Sequence, residues 1–421
     1  MTNLTKILQP YSLEQFLSEN WTKRGILIPA EQPNKFQHLF SWKQLNDLLN
    51  FHKPDLRFVL DHKDLPSSDP QEWVKRCQEG ASLVISHVHE QVPVLADLIW
   101  GIQQETGHTA IHTNIYCSWP SNQGFKAHYD THEVFILQID GQKEWFVFED
   151  TFKYPYRGEK SEYQKPPEES PYINCVLNPG DLLYIPRGHW HYAIAREKPS
   201  LHITLGIRCF TGRDAFEWLL QNLQIDEAWR KNLPLISDGN THEIKAHVEH
   251  LFDSLAILID REKENLAEKY AEFQPKVTTR APEISLPSQA GFNFFEQELD
   301  TVLRQPKFQK VNIEPLGEKG YLLRTPRKEL KFKDLPPKVI ETLVEKVFSQ
   351  KAFTIRDVAD WLPECDLDTH ILPLLAGLVK EGILVEDSYQ GEIREEEKTS
   401  LSQEMPGLEE NSNSTYAFSH S

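Results

Sequence analysis

The chain has 421 residues, with 45 basic against 63 acidic side chains and a formal net charge of −18. That length suggests roughly two to four domains and is ample for a buried core. Such acidity argues against non-specific binding to nucleic acid or anionic membranes, because phosphates are repelled overall, while a local basic patch or a basic protein partner stays open. No apolar run approaches the roughly 18–20 residues that span a bilayer, and MTNLTKILQPYSLEQF lacks the basic start and apolar block of a secretory signal. The five cysteines are scattered, odd in number and free of any CxxC pair, so neither a zinc ribbon nor a disulfide framework is expected. These features fit a soluble cytoplasmic protein.

Residues 11–50 read as helical. SLEQFLSENW and SWKQLNDLLNF each begin with Ser and carry apolar residues at three- and four-residue spacing, an N-cap followed by an amphipathic stripe. From about 56 to 210 the texture changes to short runs rich in Val, Ile, Phe, Tyr and Trp: LRFVL, ASLVISHV, TNIYCSW, EVFILQI, KEWFVF, DLLYIP and LHITLGI. The turn-formers SNQG, IDGQ, NPGD and PRG separate them, which predicts an antiparallel sandwich or barrel and not a parallel α/β sheet. Residues 212–272 return to a helical period, with charged faces opposite apolar stripes. PKVTTRAPEISLPSQAG is Pro-rich and reads as a linker. PPKVIETLVEKVFSQ, FTIRDVADWL (with Thr354 as N-cap) and THILPLLAGLVKEG are three further helices, followed by Gly382 and a short strand, the element order of a winged helix. The last thirty or so residues, 391–421, are acidic and polar and are expected to stay disordered, having too little apolar surface to offset ordering entropy.

Two segments carry the chemistry, QGFKAHYDTHEVFILQIDGQKEWFVFE and NPGDLLYIPRGHWHYA. Residues two apart on a strand share a face, so His128 and Asp130 project together. One imidazole from His189 or His191 would complete two His and one carboxylate, the facial set of non-haem Fe(II) oxygenases; spacing alone leaves open which. A bare HxD is a weak signal, and a surface pair at a strand end is its bland alternative. Lys143 follows a hairpin turn expected at Asp140-Gly141 and begins KEWFVFE, where a cation beside the HxD strand suits the carboxylate of a co-substrate. In isolation a solvated edge lysine is the simpler reading. Asn114 and Tyr116 share a strand face and offer hydrogen bonds to the same ligand.

On these residues the sequence resembles the JmjC-type 2-oxoglutarate oxygenases, above all their ribosomal oxygenase branch, which hydroxylates ribosomal proteins. The matching text is NIYCSWPSNQGFKAHYDTHEVFILQIDGQKEWFVFE and PGDLLYIPRGHWHYA. The resemblance implies that His128, Asp130 and His191 hold Fe(II), His191 because the family's histidine lies three positions after the glycine, here Gly188. His189 is then a near neighbour. Lys143 falls at the position that binds the far carboxylate of 2-oxoglutarate, with Asn114, Tyr116 and Thr204 lining that pocket. Thr-His-Glu at 131–133 departs from the family's usual acidic or polar run and puts the substrate in question more than the chemistry.

The fold so implied is mixed β and α: a double-stranded β-helix (jelly-roll or cupin) barrel with N-terminal helices, a helical dimerisation segment and a C-terminal winged helix. Its expected divisions are 1–210, 211–275, 276–390 and the tail 391–421. The implied activity is an Fe(II)- and 2-oxoglutarate-dependent dioxygenase that uses O2 to hydroxylate arginine or histidine in a basic protein, a ribosomal one, and works as a homodimer away from membranes. Two alternatives are a non-catalytic cupin-like sensor that reads DNA through its winged helix, and a small-molecule cupin enzyme. The third helix carries one lysine, one glutamate and one histidine, which disfavours DNA reading.

Overall fold

A computed structural model describes residues 2–387 apart from 109, 121–122, 236–240, 279–282, 308–310, 317–319, 326–327 and 334–335. The expectation for the tail 391–421 therefore lies outside the described residues. The chain divides after Thr278 into two compact units.

In the first unit, local polar side chains start the helices. Asn3, Ser12 and Ser41 each accept a backbone N–H of the first turn, capping α1 (Leu4–Leu8), α2 (Leu13–Glu19) and α3 (Trp42–Phe51). The stretch expected to be helical throughout is broken by β1 (Ile26–Ile28), an Ile-Leu-Ile run that pairs at the edge of a sheet. Then come β2 (Asp55–Leu60), β3 (Lys63–Leu65), α4 (Trp73–Gln78) and β4 (Ser82–Ser86). α5 (Pro93–Thr106) interrupts a region read only as strands; Pro93 in its first turn and Gly107, at φ +71° just past its end, are its start and stop signals.

The remaining strands are β5 (Ala110–Ser118), β6 (Glu133–Asp140), β7 (Lys143–Asp150), β8 (Ile173–Leu177), β9 (Leu182–Ile185), β10 (His189–Ala195) and β11 (Ser200–Arg208). They form a large antiparallel sheet in the order β1-β9-β6-β11-β5-β4-β2-β3 and a small one in the order β10-β7-β8. The alternation of side chains then sorts the residues by face. Phe135, Leu137 and Ile139 of β6 and Leu201, Ile203, Leu205 and Ile207 of β11 join the core under the helices. Val134 and Ile136 point the other way and pack against Trp145, Val147 and Leu177 of the small sheet. Each such aliphatic side chain contributes on the order of 1.5–3 kcal/mol by leaving water. The intervening residues of β5 and β11 face the space between the sheets.

The Asp140-Gly141 turn is not a hairpin. β6 and β7 do not pair; they belong to opposite sheets. The turn is the corner at which the chain crosses from one layer to the other. Gly141 sits at φ +66°, and a Cβ there would lie 1.9 Å from the Pro199 carbonyl oxygen, so the corner requires glycine. A tight Asp-Gly signal marks a reversal but does not say whether the next strand pairs with the last.

The unit ends in α6 (Gly212–Leu223), opened by a Thr211–Asp214 capping box, α7 (Glu227–Arg230) and the long α8 (His242–Thr278). Leu219, Leu223 and Leu255 form a small cluster of their own there, with Trp218 and Trp229 beside it. The expected linker from Pro275 is helical as far as Thr278, since α8 carries on through the proline.

In the second unit, β12 (Val302–Arg304) lies between β16 (Phe353–Thr354) and β17 (Val385–Glu386), while β13 (Asn312–Pro315), β14 (Gly320–Arg324) and β15 (Glu329–Lys333) form a meander that the sequence reading lacked. α9 (Pro337–Thr342), α10 (Ile355–Trp361) and α11 (Leu372–Lys380) cover an apolar centre that includes Leu303, Ile355, Leu375 and Leu384. Thr354 caps α10 in a capping box with Asp357, where the sequence placed the cap.

Candidate metal centre

His128, Asp130 and His191 present ligand atoms that all lie within 4.8 Å of one another. Backbone pairing sets this up. His128 and His191 form a two-way bridge, N–H to O, at 3.1 and 2.7 Å, and the Gly188 N–H donates to the Asp130 carbonyl at 2.9 Å. The two rings lie 4.4 Å apart, and His191 Nε2 is 3.5 Å from the Asp130 carboxylate.

The tautomers follow from the neighbours. His128 Nδ1 is 2.8 Å from the Lys126 carbonyl, and His191 Nδ1 is 3.1 Å from the His189 carbonyl. A carbonyl only accepts, so each Nδ1 carries the proton and each Nε2 keeps a free lone pair. Burial, with His191 adding to it, lowers His128 to about 4, which keeps its ring neutral near pH 7. Burial alone would raise Asp130, but the neighbouring imidazoles of His132, His191 and His128 outweigh it and hold the carboxyl below the usual range. Two imidazoles and a carboxylate are the donor set for a divalent ion of borderline hardness.

His189 and His191 are separated by an irregularity: His189 pairs with Asp150, whereas His191 pairs with Val147, one residue out of step. His189 instead meets the Tyr172 hydroxyl at 2.9 Å, away from the triad.

The triad opens on a cavity of about 560 Å³ between the sheets. Lys143, Tyr116 and Thr204 line it. Lys143 is only 6 % exposed and carries no carboxylate partner among the described residues. Because β7 lies in the opposite layer, its ammonium reaches across the cavity and donates to Ser118 Oγ of β5 at 2.8 Å. Burial lowers Lys143 to about 7, with Cys117 acting in the opposite sense. Asn114 shares the strand face of Tyr116 but is not among the cavity's lining residues; its Oδ1 accepts the His87 N–H at 3.1 Å.

The sequence reading passed over His202. It is 1 % exposed, stacks on Tyr116 with centroids 5.0 Å apart, and leaves Nδ1 without a hydrogen-bond partner, as does Trp145 Nε1 nearby. Its signal was a polar residue alternating with Leu201 and Ile203, the mark of a strand face turned to something other than core. In the 131–133 run, Thr131 and His132 lie at the cavity, but Glu133 faces away: it is fully buried and accepts the Tyr184 hydroxyl at 2.5 Å.

The model of the JmjC domain family matches residues 88–215. A protein of Drosophila sechellia described as a bifunctional lysine-specific demethylase and histidyl-hydroxylase NO66 is 30 % identical over 253 residues, covering 54 % of this chain and 38 % of that one. Its Drosophila persimilis counterpart is 31 % identical over 218 residues, covering 48 % and 31 %. The chain thus spans about a third of the length of these curated relatives. Among solved structures, the Escherichia coli ribosomal oxygenase YcfD aligns at a TM-score of 0.54 and 20 % identity, over 90 % of this chain and 98 % of that one. A YcfD structure in complex with cobalt and 2-oxoglutarate aligns at the same score and identity, over 90 % and 99 %. Residues 88–215 thus match the JmjC domain family, in a chain whose mixed α/β, cupin-like fold is similar to that of the ribosomal oxygenase YcfD.

Proposed function

We propose that this chain is an Fe(II)- and 2-oxoglutarate-dependent dioxygenase that hydroxylates an arginine or histidine side chain of a ribosomal protein. One joint observation carries the reading: His128, Asp130 and His191 converge on a cavity that also holds a buried, carboxylate-free cation, Lys143. The donor set suits Fe(II), and the unmatched ammonium suits the far carboxylate of 2-oxoglutarate. Bound together with O2, iron and 2-oxoglutarate supply the oxidising power for a C–H bond.

The chain's own residues hold and orient. The Lys126 and His189 carbonyls fix the two ring tautomers, and Asp130 stays ionised. Lys143 and Ser118 neutralise and position the carboxylate in a site mostly closed to water, where charge pairing is stronger than in bulk. Tyr116 and Thr204 add hydrogen-bonding groups, and His202 and Trp145 form the wall behind them.

The fly relatives are named as histidyl-hydroxylases and the bacterial structure as a ribosomal oxygenase. A chain of charge −18 complements a basic ribosomal protein. We read the second unit as a winged helix serving protein contact, on the order of its helices and strands. The helices α6 to α8 we read as a homodimer surface, since Phe216, Ile225, Leu235, Phe252 and Ile257 stand exposed there. All five cysteines are free, which suits a reducing cytoplasm, and no described helix is long and apolar enough to cross a membrane.

The test is succinate release by the iron-loaded chain with and without purified ribosomal proteins, followed by mass spectrometry of the proteins. Expected is substrate-stimulated succinate and a gain of one oxygen atom on one peptide. No oxygen gain on any ribosomal protein overturns the substrate assignment, and no succinate in any condition overturns the activity.

A further inference from the structure

Against an overall charge of −18, one small cavity beside the metal site is lined by four arginines and two carboxylates. Arg157, Arg187, Arg208 and Arg213 surround about 180 Å³ together with Asp214 and Glu217. Thr131, next to Asp130, lines both this cavity and the metal cavity, so the two adjoin.

The carboxylates do not exhaust the cations. Asp214 is 3.5 Å from Arg208 through one oxygen, while its other oxygen closes the α6 cap with Thr211. Glu217 takes Arg213 Nε at 2.8 Å along the helix. Arg157 has no ion-pair partner among the described residues. Among the described residues the ion-pair partner of Arg187 is Glu133, at 3.9 Å, and the Arg187 Nε is buried without a hydrogen-bond acceptor. A buried guanidinium N–H left unpaired is costly until an acceptor arrives. Arg187 and Arg213 each lie over a ring, Tyr154 and Tyr156, at 5.3 Å, which braces the guanidinium groups.

We propose that this arginine pocket binds an Asp or Glu carboxylate of the protein substrate, in the same segment that delivers the modified residue to the metal cavity. The assignment rests on the oxygenase reading for what enters the neighbouring cavity. A planar carboxylate matches the guanidinium fork in two parallel hydrogen bonds. The chain's net charge of −18 repels a phosphate backbone overall, which favours a polypeptide carboxylate over single-stranded RNA as the occupant. The acidic chain attracts a basic protein at long range, while this pocket selects one acidic residue within a few positions of the target.

The test pans a random decapeptide library against the full chain loaded with Co(II) and 2-oxoglutarate. Bound peptides should be enriched in Asp or Glu at one fixed offset, and changing that residue to Asn or Gln should weaken Kd by about tenfold, one charge pair. Arg157→Glu should exchange the acidic preference for Lys or Arg at the same offset, an outcome that misfolding cannot produce. Equal use of acid and amide at every offset, or wild-type preference in Arg157→Glu, overturns the inference. So does a single-stranded RNA decamer that binds more tightly than every selected peptide and loses that binding in Arg157→Glu. Oxygen gain on the selected peptides is scored separately with iron: acidic selection without oxygen gain removes the oxygenase reading and leaves the pocket assignment, and oxygen gain without acidic selection does the reverse.

Discussion

At the scale of single residues, the two histidines of His189-Trp190-His191 meet different partners. We expect His191→Ala and His128→Ala to abolish succinate formation and tight Co(II) binding, measured by calorimetry, while His189→Ala keeps the metal because its ring meets Tyr172. Retained metal in His191→Ala would move the third ligand elsewhere. Lys143 gives a pH prediction. Its ammonium is lowered by burial to about 7, and a bound carboxylate favours the charged form and raises it again. Below that pH the free protein already holds the proton. As pH rises through 7 the ligand must bring a proton with it, so the KM for 2-oxoglutarate should climb, at most about tenfold per pH unit. Lys143→Arg, whose guanidinium stays charged, should flatten that profile, and Lys143→Ala should raise KM by at least about tenfold at pH 7. A KM independent of pH in the natural chain would deny Lys143 this role.

Elements carry the next scale. Gly141 forms the corner between β6 and β7 and so sets where Lys143 begins. With a Cβ 1.9 Å from the Pro199 carbonyl and φ at +66°, Gly141→Ala should cost on the order of 1–3 kcal/mol and raise the 2-oxoglutarate KM as the corner shifts. A denaturant midpoint and a KM unchanged from the natural chain would contradict this. In the second unit, Thr354→Ala removes the cap of α10 and should cost about 1 kcal/mol of that unit's stability, without change in metal binding. Strands themselves were legible at this scale: LHITLGI was read as one, and the structure sets its Leu201, Ile203, Leu205 and Ile207 on the core side and Thr204 on the cavity side. The layer each strand joins was not, and Asp140-Gly141 shows why. Its φ preference gives a reversal, but whether the next strand pairs with β6 or crosses the cavity depends on contacts with Pro199, far along the chain.

For the whole molecule, the exposed apolar side chains of α6 to α8 predict self-association: light scattering should give twice the chain mass, and Phe252→Glu with Ile257→Glu should return it to one. A monomeric natural chain would refute the dimer. By itself the sequence determined the antiparallel β architecture, the helix caps at Ser12, Ser41 and Thr354, and the pairing of His128 with Asp130, because hydrogen-bonding side chains and period-two alternation act over a few residues. Only tertiary structure decided that His191 and not His189 turns toward them, through an irregularity against β7, and that Lys143 spans the cavity to Ser118 from the opposite sheet. It also gathered Arg157, Arg187, Arg208 and Arg213 around one space. Residues so far apart in sequence meet only when closure of the two sheets repays the entropy of the intervening loops, and no local pattern records that closure.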